Sequence, residues 1–131
     1  MNDEFLTGLV TRYLKPGWAK VFEPLKFRSA RLEEVITVPP GFEFDWDSVP
    51  RIPGIHALLK GRAEKAACLH DWLYYAQPVS RRKADRIFLD AMVAEGVARL
   101  HRWTIFAGVR LGGMLSWRKH RRSGDPQGLL T

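Results

Sequence analysis

The two parts of the chain follow different hydrophobic rhythms. Residues 5–48 are β-rich, with short runs of β-branched and aromatic residues cut by turn formers. Residues 5–13 predict one strand, ended by the turn signal Pro16 and Gly17. Residues 18–27 alternate imperfectly and contain Pro24, which predicts an edge or bent strand. Residues 35–38 are a β-branched run stopped by Pro39, Pro40 and Gly41, and residues 42–44 are expected to continue it after the turn. Residues 45–59 read as a loop, because Pro50, Pro53 and Gly54 interrupt regular structure.

From residue 61 onward the period becomes helical. Residues 61–76 place small apolar side chains at 63, 66 and 67, then Leu73 and Tyr74, and Pro78 ends the helix. Ser80 is a natural N-cap for the next helix, Arg81–Glu95, whose inward stripe is Ala84, Ile87, Phe88, Ala91 and Met92. Gly96 suits its stop. A third helix is expected over residues 97–120. Strands first and helices second predict an α+β domain, with helices on one side of a small N-terminal antiparallel β-sheet. The connection through Pro78 is short, so the first two helices should pair as an antiparallel hairpin. Residues 1–122 are read as one domain and 123–131 as a flexible tail.

Charge changes the picture at one end only. The chain of 131 residues carries a net charge of +7. Residues 96–124 hold seven cations (Arg99, Arg102, Arg110, Arg118, Lys119, Arg121, Arg122) and no acid, while the rest balances. Such a segment could meet phosphates of nucleic acid, an anionic membrane surface or an acidic protein. It also suits the C-terminal end of a helix dipole, with no partner required. The most apolar stretch, 103–117, is shorter than the roughly 20 residues of a membrane span and holds Arg110 at its middle, so no transmembrane helix is expected. The acidic start MNDEF suggests no export signal, and the single cysteine, Cys68, suits a reducing cytoplasm.

The chemistry concentrates in residues 68–78, CLHDWLYYAQP. His70 and Tyr74 are four apart and share a helix face, while Asp71 points about 100° away. Asp85 lies beside the core stripe of the following helix, so the hairpin would bring it near His70 or Tyr74. An imidazole held by a carboxylate is the orienting arrangement of a general base. The same residues equally make a closed hydrogen-bonded lock, because buried polar groups must be paired. The loop GFEFDWDSVPR at 41–51 is a second constellation. Asp45 and Asp47 could offer oxygen ligands to Ca²⁺ or another divalent cation, or could cap a turn. Ser48 lacks a nucleophile-elbow context, and Arg51 suits a clamp on Asp45, Asp71 or Asp85. The four histidines do not form zinc spacing.

Residues 37–117 resemble a family found in phages and prophages, domain of unknown function 1353. The matching pieces are VPPGFEFDWDSVPR at 38–51, HDWLYY at 70–75, RRKADRIFLDAM at 81–92 and VRLGG at 109–113. The resemblance implies a small phage-encoded protein, in the cytoplasm of an infected or lysogenic host or associated with the virion. It implies no activity. The HDxxY segment with a later Asp is also similar to the active-site core of phospholipase A2 enzymes. That resemblance implies His70 as base, Asp71 as calcium ligand, Asp85 as orienting carboxylate and Tyr74 as its hydrogen-bond partner. The glycine-rich calcium loop has no counterpart unless residues 42–48 replace it, and disulfides are absent.

Three functional readings follow, in this order. The first is an accessory protein of virion assembly, lysis or host interference, acting on phage or host proteins, with a closed polar cluster. The second is a metal-assisted hydrolase of ester substrates, using His70, Asp85 and Tyr74, with Asp71 and Asp45 on the metal. The third is a nucleic-acid or membrane-surface binder working through Arg99, Arg102, Arg118, Lys119, Arg121 and Arg122.

Overall fold

The structure, a computed structural model, describes residues 2–15, 18–45 and 63–123, and among these the side chains of all but 45, 111–116 and 119–123. Among these residues six strands precede three helices, an α+β order. The strands are β1 (Glu4–Phe5), β2 (Thr11–Lys15), β3 (Trp18–Val21), β4 (Leu25–Ser29), β5 (Glu34–Val38) and β6 (Glu43–Asp45). The helices are α1 (Glu64–Ala76), α2 (Arg81–Glu95) and α3 (Arg99–Ser123).

Two three-stranded antiparallel sheets form where one was expected, in the orders β1–β4–β5 and β2–β3–β6. The expected strand over 5–13 is split between them. Thr7 is the reason: its hydroxyl donates to the Pro24 carbonyl at 3.2 Å and accepts the Lys26 N–H at 2.9 Å. That anchors β1 beside β4 and frees the following residues to turn toward the other sheet. Pro24 falls between β3 and β4 rather than within a strand. Likewise β6 does not extend β5. Gly41 adopts φ 93, a left-handed turn that returns the chain to β3, where Ala19 faces Phe44. The loop over 45–59 lies outside the described residues from 46 onward.

Alternation fixes the inward faces. Leu25 and Phe27 of β4, Ile36 and Val38 of β5, and Ala19 and Val21 of β3 are buried, and their neighbours face out. Phe27, Phe42, Phe44 and Phe88 are almost fully buried, each contributing on the order of 2 kcal/mol. Phe42 joins the sheet to α1, its ring 5.2 Å from Trp72 and 5.6 Å from Tyr75.

The helices end as their sequences dictate. Ser80 accepts the Lys83 N–H, and Gly96 closes α2 at φ 85 with its N–H on the Met92 and Val93 carbonyls. The start of α1 has no local cap, because Ala63 cannot provide one. Glu95 from the far end of α2 does so instead, accepting the Lys65 and Ala66 N–H groups at 3.0 Å each. Burial pushes the Glu95 carboxyl up despite these two donors. This contact also shows the hairpin to be antiparallel: the end of α2 meets the start of α1. Helix α3 lies across both, burying Ile105 and Val109. Among the described residues, no helix is long and apolar enough to cross a membrane.

Candidate functional site

Asp85 is the centre of the polar cluster. It is 0 % exposed, on the inward side of α2. Its Oδ1 lies 2.8 Å from His70 Nε2 and accepts the Tyr74 hydroxyl at 2.6 Å. Its Oδ2 accepts from Arg110 Nη1 of α3 at 2.8 Å. Arg81 Nη1, one turn back on α2, stands 4.0 Å from Oδ2. That nitrogen is buried and makes no hydrogen bond, so its contribution is charge alone. One carboxylate thus ties together all three helices.

Burial alone would push the Asp85 carboxyl up. The donors from His70, Tyr74 and Arg110 outweigh that and hold it below the ordinary carboxylate value. Asp85 is therefore ionised near neutral pH and can only accept. It follows that His70 presents an N–H to it at Nε2, which leaves Nδ1 as the ring nitrogen not engaged with Asp85. Burial, and then donation to Asp85, raise the Tyr74 phenol well above its usual range. The imidazole is held between rings, 4.2 Å from Tyr74 and 4.5 Å from Phe88. Its side chain is 12 % exposed. Tyr74 is braced in turn by Trp117 of α3, with ring centroids 5.2 Å apart.

The hairpin thus brings together His70, Tyr74 and Asp85, as their spacing predicts. Asp71 is half-buried beside them, engaged in contacts of its own. Its charge and, before it, burial push the Cys68 thiol up, which leaves that buried sulfur unreactive. Asp47, Ser48 and Arg51 lie outside the described residues, as does the Asp45 side chain; the Asp45 backbone pairs with Trp18. Among the described residues, no group of three His, Cys, Asp or Glu side chains is placed to hold a metal ion.

Arg110 and Arg81 are the partners that sequence reasoning missed. Arg110 belongs to the basic C-terminal segment but to none of the expected site sets, and it points inward to Asp85. The signal was its place in the most apolar stretch of the chain, where a lone cation requires a counter-charge. Of the other basic residues, Arg99 and Arg118 are exposed, and Arg102 is half-buried and donates to the Val97 carbonyl at 3.3 Å. The side chains of Lys119, Arg121 and Arg122 lie outside the described residues. Trp103 is 47 % exposed, one turn from Arg99 and Leu100.

The same segment carries the comparison with known proteins. No curated protein and no solved structure matches the chain. A profile of the family described as "Protein of unknown function (DUF1353)" matches residues 19–109, which takes in His70, Tyr74 and Asp85 and stops one residue short of Arg110. Covering well over half of the sequence, that match makes the chain a member of the DUF1353 family.

Proposed function

We propose that this DUF1353 protein is a small phage- or prophage-encoded accessory protein that acts by binding rather than catalysis, with residues 1–122 folding as one domain. The observation that carries this reading is the burial of Asp85 on α2 with donors from the other two helices on its two oxygens. Such a closed network fixes how helices pack, which is what a small binding scaffold needs. Virion assembly, lysis and host interference are the roles open to it, with a phage or host protein as partner.

The test is genetic. The gene is deleted from the phage or prophage that carries it, and the variant His70→Gln is returned. Gln keeps an N–H donor for Asp85 but cannot accept a proton as a base. Normal phage yield with folded His70→Gln protein supports a binding role. Loss of yield with folded protein sinks it and turns attention to catalysis. A gene located away from any phage sequence would remove the accessory assignment itself.

A second reading keeps one specific observation in its favour. His70 Nε2 and Tyr74 on the same Asp85 oxygen is the orientation a general base requires, as in the phospholipase A2 pattern. In a hydrolase, Nδ1 would take the proton of the attacking water, and Asp71 with Asp45 would supply oxygens to Ca²⁺ or another divalent cation. Calorimetry with Ca²⁺, Mg²⁺, Mn²⁺ and Zn²⁺ on wild type and Asp71→Asn tests it. Stoichiometric binding lost in the variant, with ester or phospholipid hydrolysis, would establish this reading; silence in both assays removes it.

A further inference from the structure

The first turn of α2 is charged against the usual rule. It carries Arg81, Arg82 and Lys83 and no acid, although the positive end of a helix dipole favours carboxylates there. Arg86 follows Arg82 by four residues, which adds a repelling pair on the helix surface. Arg81 finds relief by turning inward toward Asp85. The other three do not. Arg82, Lys83 and Arg86 are exposed, and among the described residues no carboxylate pairs with any of them. With Ser80, and with Arg31 from the turn between β4 and β5, they line an open cavity of about 480 Å³. Arg31 is fixed there by Asp90, whose two oxygens accept from its Nε at 2.9 Å and its Nη2 at 3.2 Å.

Mutual repulsion would drive unpaired cations apart. Here Arg82, Lys83 and Arg86 of α2 share one concavity with Arg31 of the β4–β5 turn, which Asp90 holds in place. We propose that this cavity binds a compact oligophosphate, free or as the phosphate end of a nucleotide. Guanidinium forks match phosphate oxygens in pairs, and a lysine adds a mobile point charge. Three uncompensated cations suit the charge of a pyrophosphate group. Among the described residues no aromatic side chain lines the cavity, so the phosphates and not a stacked base carry the recognition. A concave site of this volume takes a small ligand, whereas a nucleic-acid strand is tracked by an extended groove.

Calorimetry on the full chain at low salt, with pyrophosphate and with adenosine triphosphate, tests the site. The comparison variants are Arg82→Ala/Arg86→Ala and, as a control that removes equal charge elsewhere, Arg12→Ala/Lys20→Ala. Wild type and control are expected to bind one ligand per chain, and the Arg82/Arg86 variant at least roughly tenfold more weakly. Ligand should raise the unfolding temperature of wild type and control but not of that variant. Both positions are exposed, and losing a repelling pair should leave the ligand-free variant as stable as wild type. Equal affinity for both ligands assigns recognition to the phosphates alone, and tighter nucleotide binding assigns the nucleotide end; either supports the site. No binding, equal weakening in the control, or binding of an oligonucleotide without binding of pyrophosphate overturns it.

Discussion

Replacing Asp85 by Asn tests the central network with almost no change of shape. The substitution opens no cavity, so the cost is electrostatic. One oxygen of the amide can still accept from His70 and Tyr74, now at 2.8 and 2.6 Å. The amide nitrogen then faces Arg110 Nη1, donor against donor, at a position where they stand 2.8 Å apart. Arg81 Nη1, buried and without a hydrogen bond, loses the nearby charge as well. Breaking a buried ion pair on one side costs about 3–5 kcal/mol. Arg110 is 35 % exposed and can turn toward water, which places the expectation near the lower end, at about 3 kcal/mol. Against a typical total of roughly 5–15 kcal/mol, that is a large fraction. Urea unfolding followed by circular dichroism and by tryptophan fluorescence, with coincident transitions, measures it. Adding Arg110→Met removes the orphaned cation, so the double variant should lose less than the two single losses combined. A loss under about 1 kcal/mol, or strict additivity, would refute the account of Asp85 as the tie between helices.

Other expectations concern groups around that tie. The folded Asp85 carboxyl sits below its unfolded value of about 3.9, so its contribution is complete above that pH and is lost as pH falls through the lower folded value. Urea midpoints between pH 5 and pH 2 should therefore fall more steeply in wild type than in Asp85→Asn; parallel curves would contradict this. Glu95→Ala removes the carboxylate that accepts the Lys65 and Ala66 N–H groups and should cost about 1 kcal/mol. Its signature is faster hydrogen exchange at those two amides, and unchanged exchange would deny the cap. Gly96→Ala forces a Cβ into a left-handed conformation with open space around it, so a conformational cost of about 1 kcal/mol is expected in thermal unfolding, with no loss of packing. Phe88→Ala should cost about 3–5 kcal/mol and also release one face of the His70 ring, visible as a changed imidazole resonance.

How much of this was legible in the sequence depends on how local each cause is. Helix α2 could be read to the residue, because Ser80 and Gly96 act on backbone groups a few positions away. Its stripe of Ala84, Ile87, Phe88, Ala91 and Met92 is buried as the period requires. His70, Tyr74 and Asp85 were also within reach, since spacing on one helix and a short Pro78 connection nearly determine their meeting. What could not be read was contact from afar. Thr7 breaks the first predicted strand only because β4 brings Pro24 and Lys26 to its hydroxyl. The cap of α1 comes from Glu95, thirty residues along the chain from the Lys65 amide it serves. That Asp85 is the counter-charge of Arg110 shows only once α3 lies across the hairpin. The three cations at the start of α2 were hidden by an overall balance of charge in that part of the chain.

Arg110 is also what separates the two roles open to the His70 cluster. A carboxylate behind a general base is useful because its charge is free to meet the imidazolium formed when the base takes a proton. At Asp85 that charge is already committed. Oδ2 is held by Arg110 at 2.8 Å, with Arg81 4.0 Å away, so two guanidinium groups stand on a single carboxylate. The imidazole is held on Oδ1 and packs between Tyr74 and Phe88, which is what a lock between helices requires. A catalytic dyad would be better served by the same His, Tyr and Asp without the arginines. That both arginines are present is the physical ground for placing the binding role ahead of the hydrolase, although the two demand the same residues at the same spacing on α1 and α2.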